Sequence, residues 1–193
     1  KPTAGSEEVV VQLKSAALNH RDVWIQKGLY PRIQTPLIMG SDGAGAVTEI
    51  GEKVAKELLG KEVVINPSHN WGDNEAYYKA EHTILGMPDN GTLAEFVKVE
   101  AKYLSVKPAH LTFEQAAALP LAGLTAYRAL FTRCKLTAKD KVLITGIGGG
   151  VALLALQFAV AAGAEVWVTS GSDEKIAKAI AMGAKGGINY KNP

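Results

Sequence analysis

The sequence predicts an α/β protein in two parts: a β-rich N-terminal domain over residues 1–107, and over residues 108–193 the N-terminal half of a doubly wound parallel sheet. Three observations predict it. Short β-branched runs and glycine turns fill the first hundred residues, strands and helices alternate beyond Asp140, and a glycine cluster stands between an apolar strand and a helix.

In the first part, Val9–Leu13, Gly43–Gly51, Glu62–Ile65 and Ala94–Val99 read as strands, with turn chemistry at Asp89-Asn90-Gly91-Thr92. Several short strands with glycine turns suggest a partly closed barrel. Residues 66–88 read as a long irregular excursion of this domain, holding His69, His82 and Tyr77-Tyr78. The pattern changes near Pro108. Thr112, with Gln115 three positions on, opens a helix that Pro120 is expected to stop, and Leu124–Phe131 begins another. The chain then reads strand (Val142–Thr145), glycine turn, helix (Val151–Ala162), strand (Val166–Thr169), helix (Asp173–Met182) and strand (Gly187–Asn189). Such alternation marks a parallel sheet.

The bulk properties exclude some classes. A chain of 193 residues with 47% hydrophobic and 21% charged side chains is an ordinary globular composition. The net charge of +2 is spread without a basic block, so nucleic acid is not an expected partner. Val142–Ala164 is uncharged and long enough to span a bilayer. Four glycines near its start, and its division into strand, turn and helix, argue against a membrane span. Lys1–Lys14 lacks the apolar core of a signal peptide, and the single Cys134 permits no intrachain disulfide, which leans to a reducing, cytoplasmic setting.

The glycine turn carries the first functional reading. Val142–Thr145 is continuously apolar, as in a strand covered on both faces. Gly146-Ile147-Gly148-Gly149-Gly150-Val151-Ala152 follows and opens a helix. Bare backbone at Gly148, Gly149 and Gly150 lets a diphosphate approach, and the helix start from Val151 offers N–H groups and a positive dipole end. This is the logic of a Rossmann dinucleotide site. The literal fingerprint is not met, because Ile147 falls where its first glycine belongs. The next strand ends at Thr169-Ser170-Gly171-Ser172, with Lys175 one turn on. Hydroxyls, glycine and an ammonium at this tip suit a ribose 2′-phosphate, so NADP(H) is favoured over NAD. Asp173 and Glu174 are the counter-signal, although acidic residues are common in a helix's first turn. Tyr190, after the third strand, joins the cofactor-binding set.

Four stretches extend the pattern over the whole chain: Ala17–Asp22, Pro36–Gly45, Leu119–Tyr127 and the Gly149–Ala152 turn. With them the chain resembles the medium-chain dehydrogenase/reductase superfamily, and within it the zinc-independent quinone oxidoreductase-like branch. The resemblance implies a GroES-like β-barrel domain followed by a Rossmann domain, with the active site in the cleft between them. Zinc-using members of that superfamily carry Cys where Asn19 stands, Gly-His-Glu where Gly40-Ser41-Asp42 stands, and a further Cys near Ala122. A catalytic zinc takes three protein ligands, and Asp22 with Asp42 do not supply them. The four-cysteine structural site is missing too, and His69 and His82, in the loop where it would lie, are expected to be solvated. Members of the superfamily run on past Pro193, so the chain is expected to be a fragment holding about half of a Rossmann sheet.

The resemblance therefore implies hydride transfer from NADP(H) to a quinone or an activated C=C or carbonyl acceptor, without zinc. Asn19 is the first candidate for contact with the acceptor, because it takes the vacated ligand position; an ordinary helix N-cap is its other reading. By the same resemblance Asp22 and Arg21 are expected to orient the site or to pair on the first helix, Tyr30 is expected to line the cleft, and Thr125 resembles a position beside the nicotinamide. Two other readings stay open: a non-catalytic NADPH-binding protein of the crystallin or trafficking type, and a zinc-type alcohol dehydrogenase. The acceptor is a small molecule, and a homodimer is the family expectation for the full-length protein.

Overall fold

The computed structural model describes Lys1–Asn192; Pro193, the last residue of the expected second domain, lies outside the described residues. The chain divides into two compact units, Lys1–Leu121 and Ala122–Pro193. Composition placed the change at 107/108. The compact unit reaches further because α2 (Phe113–Ala117) packs back on the first unit's sheet, through Ala116 and Ala117 against the buried Ala44.

In the first unit, β1 (Glu8–Ala17), β2 (Asp42–Ile50), β3 (Glu62–Ile65), β6 (Phe96–Glu100) and β7 (Leu104–Val106) form one antiparallel sheet in the order β6-β1-β2-β3-β7. Alternation decides which face is buried. Val9, Val11, Val47, Val63, Ile65, Val97 and Val99 turn to a common core with Leu85. Register shifts between Val10 and Val11, and between Leu13 and Ser15, bend β1. Gly45 lies where a Cβ would run into the Gln12 carbonyl, so only glycine fits against that strand. The one regular helix between β1 and β2 is α1 (His20–Gln26).

The segment expected as irregular contains a short ribbon, β4 (Ser68–His69) with β5 (Thr83–Ile84). It overturns the expectation of two solvated histidines. His69 is 8% exposed and stacks on Tyr103 at 4.0 Å, and the half-buried His82 shares a hydrogen bond of 3.0 Å with Ser68 Oγ. Pairing across the ribbon folds the loop onto its own aromatic side chains, as spacing in sequence does not show.

The helices after Thr112 differ from expectation in one respect. Thr112 does cap α2: its hydroxyl accepts from the Gln115 N–H, and the Gln115 side chain accepts from the Thr112 N–H. Pro120, however, opens α3 (Pro120–Tyr127) instead of merely ending α2. Proline has no N–H to leave unsatisfied at a helix's first position and its φ is already helical. A π-helical turn, Arg128–Arg133, continues from α3.

The second unit holds β8 (Lys141–Ile144), α4 (Gly150–Ala161), β9 (Glu165–Ser170), α5 (Asp173–Ala181) and β10 (Gly186–Asn189). The three strands are parallel, in the order β10-β9-β8. Ile144, Val166 and Val168 pack with Leu156 and Ala159 of α4 and with Ile176 and Ala179 of α5. Leu143, Trp167 and Ile188 remain 60%, 39% and 56% exposed, so apolar side chains of all three strands meet solvent. Among the described residues no helix is long and apolar enough to cross a membrane.

Candidate functional site

In the second unit the site begins at the end of β8. Gly146 adopts φ +67, a left-handed conformation that frees the chain to turn, and Gly149 is the N-cap of α4. The N–H groups of Gly150, Val151 and Ala152 start the helix and have no carbonyl one turn back within it. A Cβ built on Gly149 would meet nothing nearer than the Gly146 carbonyl at 3.8 Å, and one on Gly146 would meet nothing within 4 Å. Open space therefore lies beside bare backbone at the positive end of a twelve-residue helix. Ala122 of α3 is 3.7 Å from the Cβ position of Gly150, and Gly123 lets α3 approach Leu154 and Phe158 of α4. Thr125 is exposed on this same helix α3.

Lys175 reaches the turn. A Cβ at Gly148 would lie 2.8 Å from its ammonium. Its neighbours Asp173 and Glu174 are otherwise engaged: Asp173 accepts from the Asn189 amide at 2.8 Å, and Glu174 pairs with Lys178 at 2.7 Å. The hydroxyls at the β9 tip divide their work. Ser170 is buried, and its Oγ accepts from the Ser172 N–H, while Ser172 caps α5 by accepting from the Lys175 N–H. Tyr190 donates its backbone N–H to the Ser170 carbonyl, and its phenol and the Lys191 stem lie 3.0 and 2.9 Å from a Cβ built on Gly171. Gly148–Val151 and Lys175 thus share one end of the parallel sheet, and Ser170, Gly171, Ser172 and Tyr190 lie together at the β9 tip. Lys191 was missed by sequence reasoning; its only signal is adjacency to Tyr190.

In the first unit, Asn19 is the N-cap residue of α1 and joins a buried polar network. Its Nδ2 donates to Asp42 Oδ2 at 2.8 Å, and Asp42 Oδ1 accepts from the Leu121 N–H at 2.8 Å. Asp42 is 1% exposed, and burial pushes its carboxyl up to about 6 against the lowering effect of those two hydrogen bonds. Asp22, 3% exposed, accepts from the Asn19 backbone N–H through Oδ2. Its other oxygen is buried without a hydrogen-bond partner among the described residues, as is Arg21 Nε. Arg21 donates to Ser41 Oγ at 2.6 Å and to the carbonyls of Leu85 and Met87, and its guanidinium lies 5.1 Å from the Tyr30 ring centroid. The structure thus brings Asn19 and Asp22 together and holds Tyr30 to them through Arg21. Asp42 is the residue that sequence reasoning undervalued, having weighed it only as a metal ligand.

The set does not suit a catalytic zinc. Both Asp42 oxygens already accept hydrogen bonds, and Asn19 turns a donor toward Asp42. Among the described residues no three His, Cys, Asp or Glu side chains converge to hold a metal ion.

Residues 5–109 match the family model described as the alcohol dehydrogenase GroES-like domain. The chain is 41% identical over 201 residues to the zinc-type alcohol dehydrogenase-like protein YogA of Leptosphaeria maculans, covering 99% of this chain and 56% of that protein. It is 33% identical over 192 residues to the chloroplastic NADPH-dependent alkenal/one oxidoreductase of Arabidopsis thaliana, covering 98% of this chain and 46% of that protein. A crystal structure of an NAD-dependent alcohol dehydrogenase superposes with a TM-score of 0.92 at 40% identity, over 100% of this chain and 58% of that one. The chain spans about half the length of the relatives it matches.

Proposed function

Because the chain belongs to the medium-chain dehydrogenase/reductase superfamily, we propose that the whole protein is an NADP(H)-dependent oxidoreductase that passes hydride to a quinone or an activated C=C or carbonyl acceptor without zinc. The observation that carries this reading is the Lys175 ammonium poised over Gly148, with Asp173 and Glu174 held by other side chains. A strand tip that reads an unphosphorylated ribose needs a free carboxylate; here the free charge is positive. The Arabidopsis relative is named for NADPH and an enone-type acceptor, which agrees, whereas the superposed crystal structure is named for NAD.

The residues divide the work as follows. The backbone at Gly148, Gly149 and Gly150 is bare, with open space beside Gly149 for the diphosphate and the Lys175 ammonium beside Gly148, and the α4 N–H groups from Val151 onward bind the diphosphate. Lys175 pairs with the 2′-phosphate, with Ser172, Gly171 and Tyr190 beside it, and Ser170 shapes the turn from within. Thr125, exposed on α3, would be the contact for the nicotinamide end. The bound cofactor supplies the hydride. Asn19, its amide fixed by Asp42, donates to the oxygen on which charge develops in the acceptor, in place of a Lewis acid. Asp22 holds the start of α1, and Arg21 with Tyr30 stiffens the surroundings of Asn19.

A zinc-dependent alcohol dehydrogenase is the second reading, favoured by the name of the Leptosphaeria relative and opposed by the engaged Asp42 and the amide of Asn19. The whole protein, titrated with NADPH and NADH and assayed with quinones and enones after metal analysis, tests both. Tighter NADPH binding and turnover in metal-free protein are expected. Stoichiometric zinc, or NADH bound as tightly as NADPH, defeats the proposal.

A further inference from the structure

A cavity of about 490 Å³ opens in the first unit, walled by β6, the end of β4 and the turn at Asp89. That size lies within the range of small-ligand sites. Asn19, Arg21, Asp22 and Asp42 do not line it.

Its lining sets His69 and three carboxylates beside Lys98 and the amides of Asn70 and Asn90. His69 is more than nine-tenths buried and held flat on Tyr103, with centroids 4.0 Å apart and planes at 14°. Its Nε2 lies 3.1 Å from the Asn66 carbonyl. A carbonyl oxygen only accepts, so Nε2 carries the hydrogen. Burial holds the ring below the usual histidine range and therefore neutral, which leaves Nδ1 a bare acceptor without a hydrogen-bond partner among the described residues. Three carboxylates share the lining. Glu8 is paired with Lys98 at 2.8 Å, and Glu100 with Lys102 at 2.7 Å. Asp89 accepts from the Thr83 hydroxyl at 2.9 Å and has no ammonium partner among the described residues. Lys98 is engaged by Glu8, so an anion would meet the Asp89 charge with no ammonium beside it to pair with, and an apolar guest would leave the acceptors unpaired.

We propose that this cavity binds a small organic cation with N–H donors, of amidinium or primary ammonium type, with Asp89 as counter-ion and His69 Nδ1 as a second acceptor. Too few metal-ligating groups converge here to favour a metal ion instead.

Benzamidine, benzoate and benzyl alcohol are titrated calorimetrically into the whole protein, and the benzamidine complex is crystallised. Benzamidine alone is expected to bind, with its amidinium on Asp89 and His69. In Asp89→Asn the amide oxygen keeps the Thr83 bond, so folding and NADPH affinity stay as they were, while benzamidine affinity falls roughly tenfold or more. The proposal is overturned if benzoate or benzyl alcohol matches benzamidine, or if no benzamidine binds at millimolar concentration. It is equally overturned if Asp89→Asn leaves the affinity unchanged, or if the probe is seen elsewhere or only in soaked crystals.

Discussion

Asn19 and Asp42, 23 positions apart in sequence, are joined by a hydrogen bond of 2.8 Å from the side-chain amide to a carboxylate that is 1% exposed. The bond decides which end of the Asn19 amide is held, and it places an ionisable group in the interior. That burial raises the Asp42 carboxyl from 3.8 to about 6.

The sign of the resulting pH dependence follows from the folded chain binding the proton more tightly than the unfolded chain. Asp42's contribution to stability is complete below pH 3.8 and is lost as pH rises through about 6, a change of up to about 3 kcal/mol. Denaturant titrations of wild type and Asp42→Asn between pH 4 and pH 8 check this. The variant should show a flatter profile, at a level lowered by about 1–3 kcal/mol because its single amide oxygen cannot accept from both Asn19 and Leu121, and a lower kcat, because Asn19 is no longer held by a carboxylate. A profile as steep as wild type would assign the dependence to other groups.

Gly149→Ala separates folding from binding. Its added methyl group meets nothing nearer than 3.8 Å and its φ of −90 suits any residue, so stability should fall by no more than about 1 kcal/mol, the cost of Ala for Gly at a helix N-cap. The methyl group occupies the space assigned to the diphosphate, and dinucleotide affinity should fall tenfold or more, on the order expected when a charged hydrogen bond is lost. Fluorescence titration with NADPH provides the measurement; unaltered affinity would place the diphosphate elsewhere.

Lys175→Ala should weaken NADPH binding roughly tenfold and leave NADH binding nearly unchanged, since only the former carries the 2′-phosphate. Equal losses for both nucleotides would show that Lys175 serves the diphosphate instead.

Arg21 holds the Leu85 and Met87 carbonyls and Ser41 from a position 9% exposed. Arg21→Ala leaves these acceptors unpaired and should cost about 3 kcal/mol or more in denaturant unfolding. Arg21→Lys, with one compact ammonium in place of a planar fork, should recover only part of that loss.

The strands and helices of the second unit were legible because each follows from a local rule. Apolar runs the length of a strand, glycines between a strand and a helix, and small residues on α4 mark themselves in sequence. Pro120 was read as a stop because proline breaks helices; the same missing N–H suits it to begin one, and only the packing of the following turns decides between the two. His69 and His82 were misjudged because a ribbon across residues 68–84 sets their neighbours.

By itself the sequence determined the β-rich and parallel halves, the bare backbone at Gly148–Gly150 and the residues that stand where zinc ligands would. These depend on periodicity, on the missing Cβ of glycine and on side-chain identity, all carried by the residues themselves. Tertiary structure alone decided that Asn189 occupies the Asp173 carboxylate near the β9 tip, that Lys175 turns toward Gly148, and that Asp42 is buried against Asn19. Those outcomes depend on distances between residues remote in the chain, where hydrogen bonds and desolvation act through space.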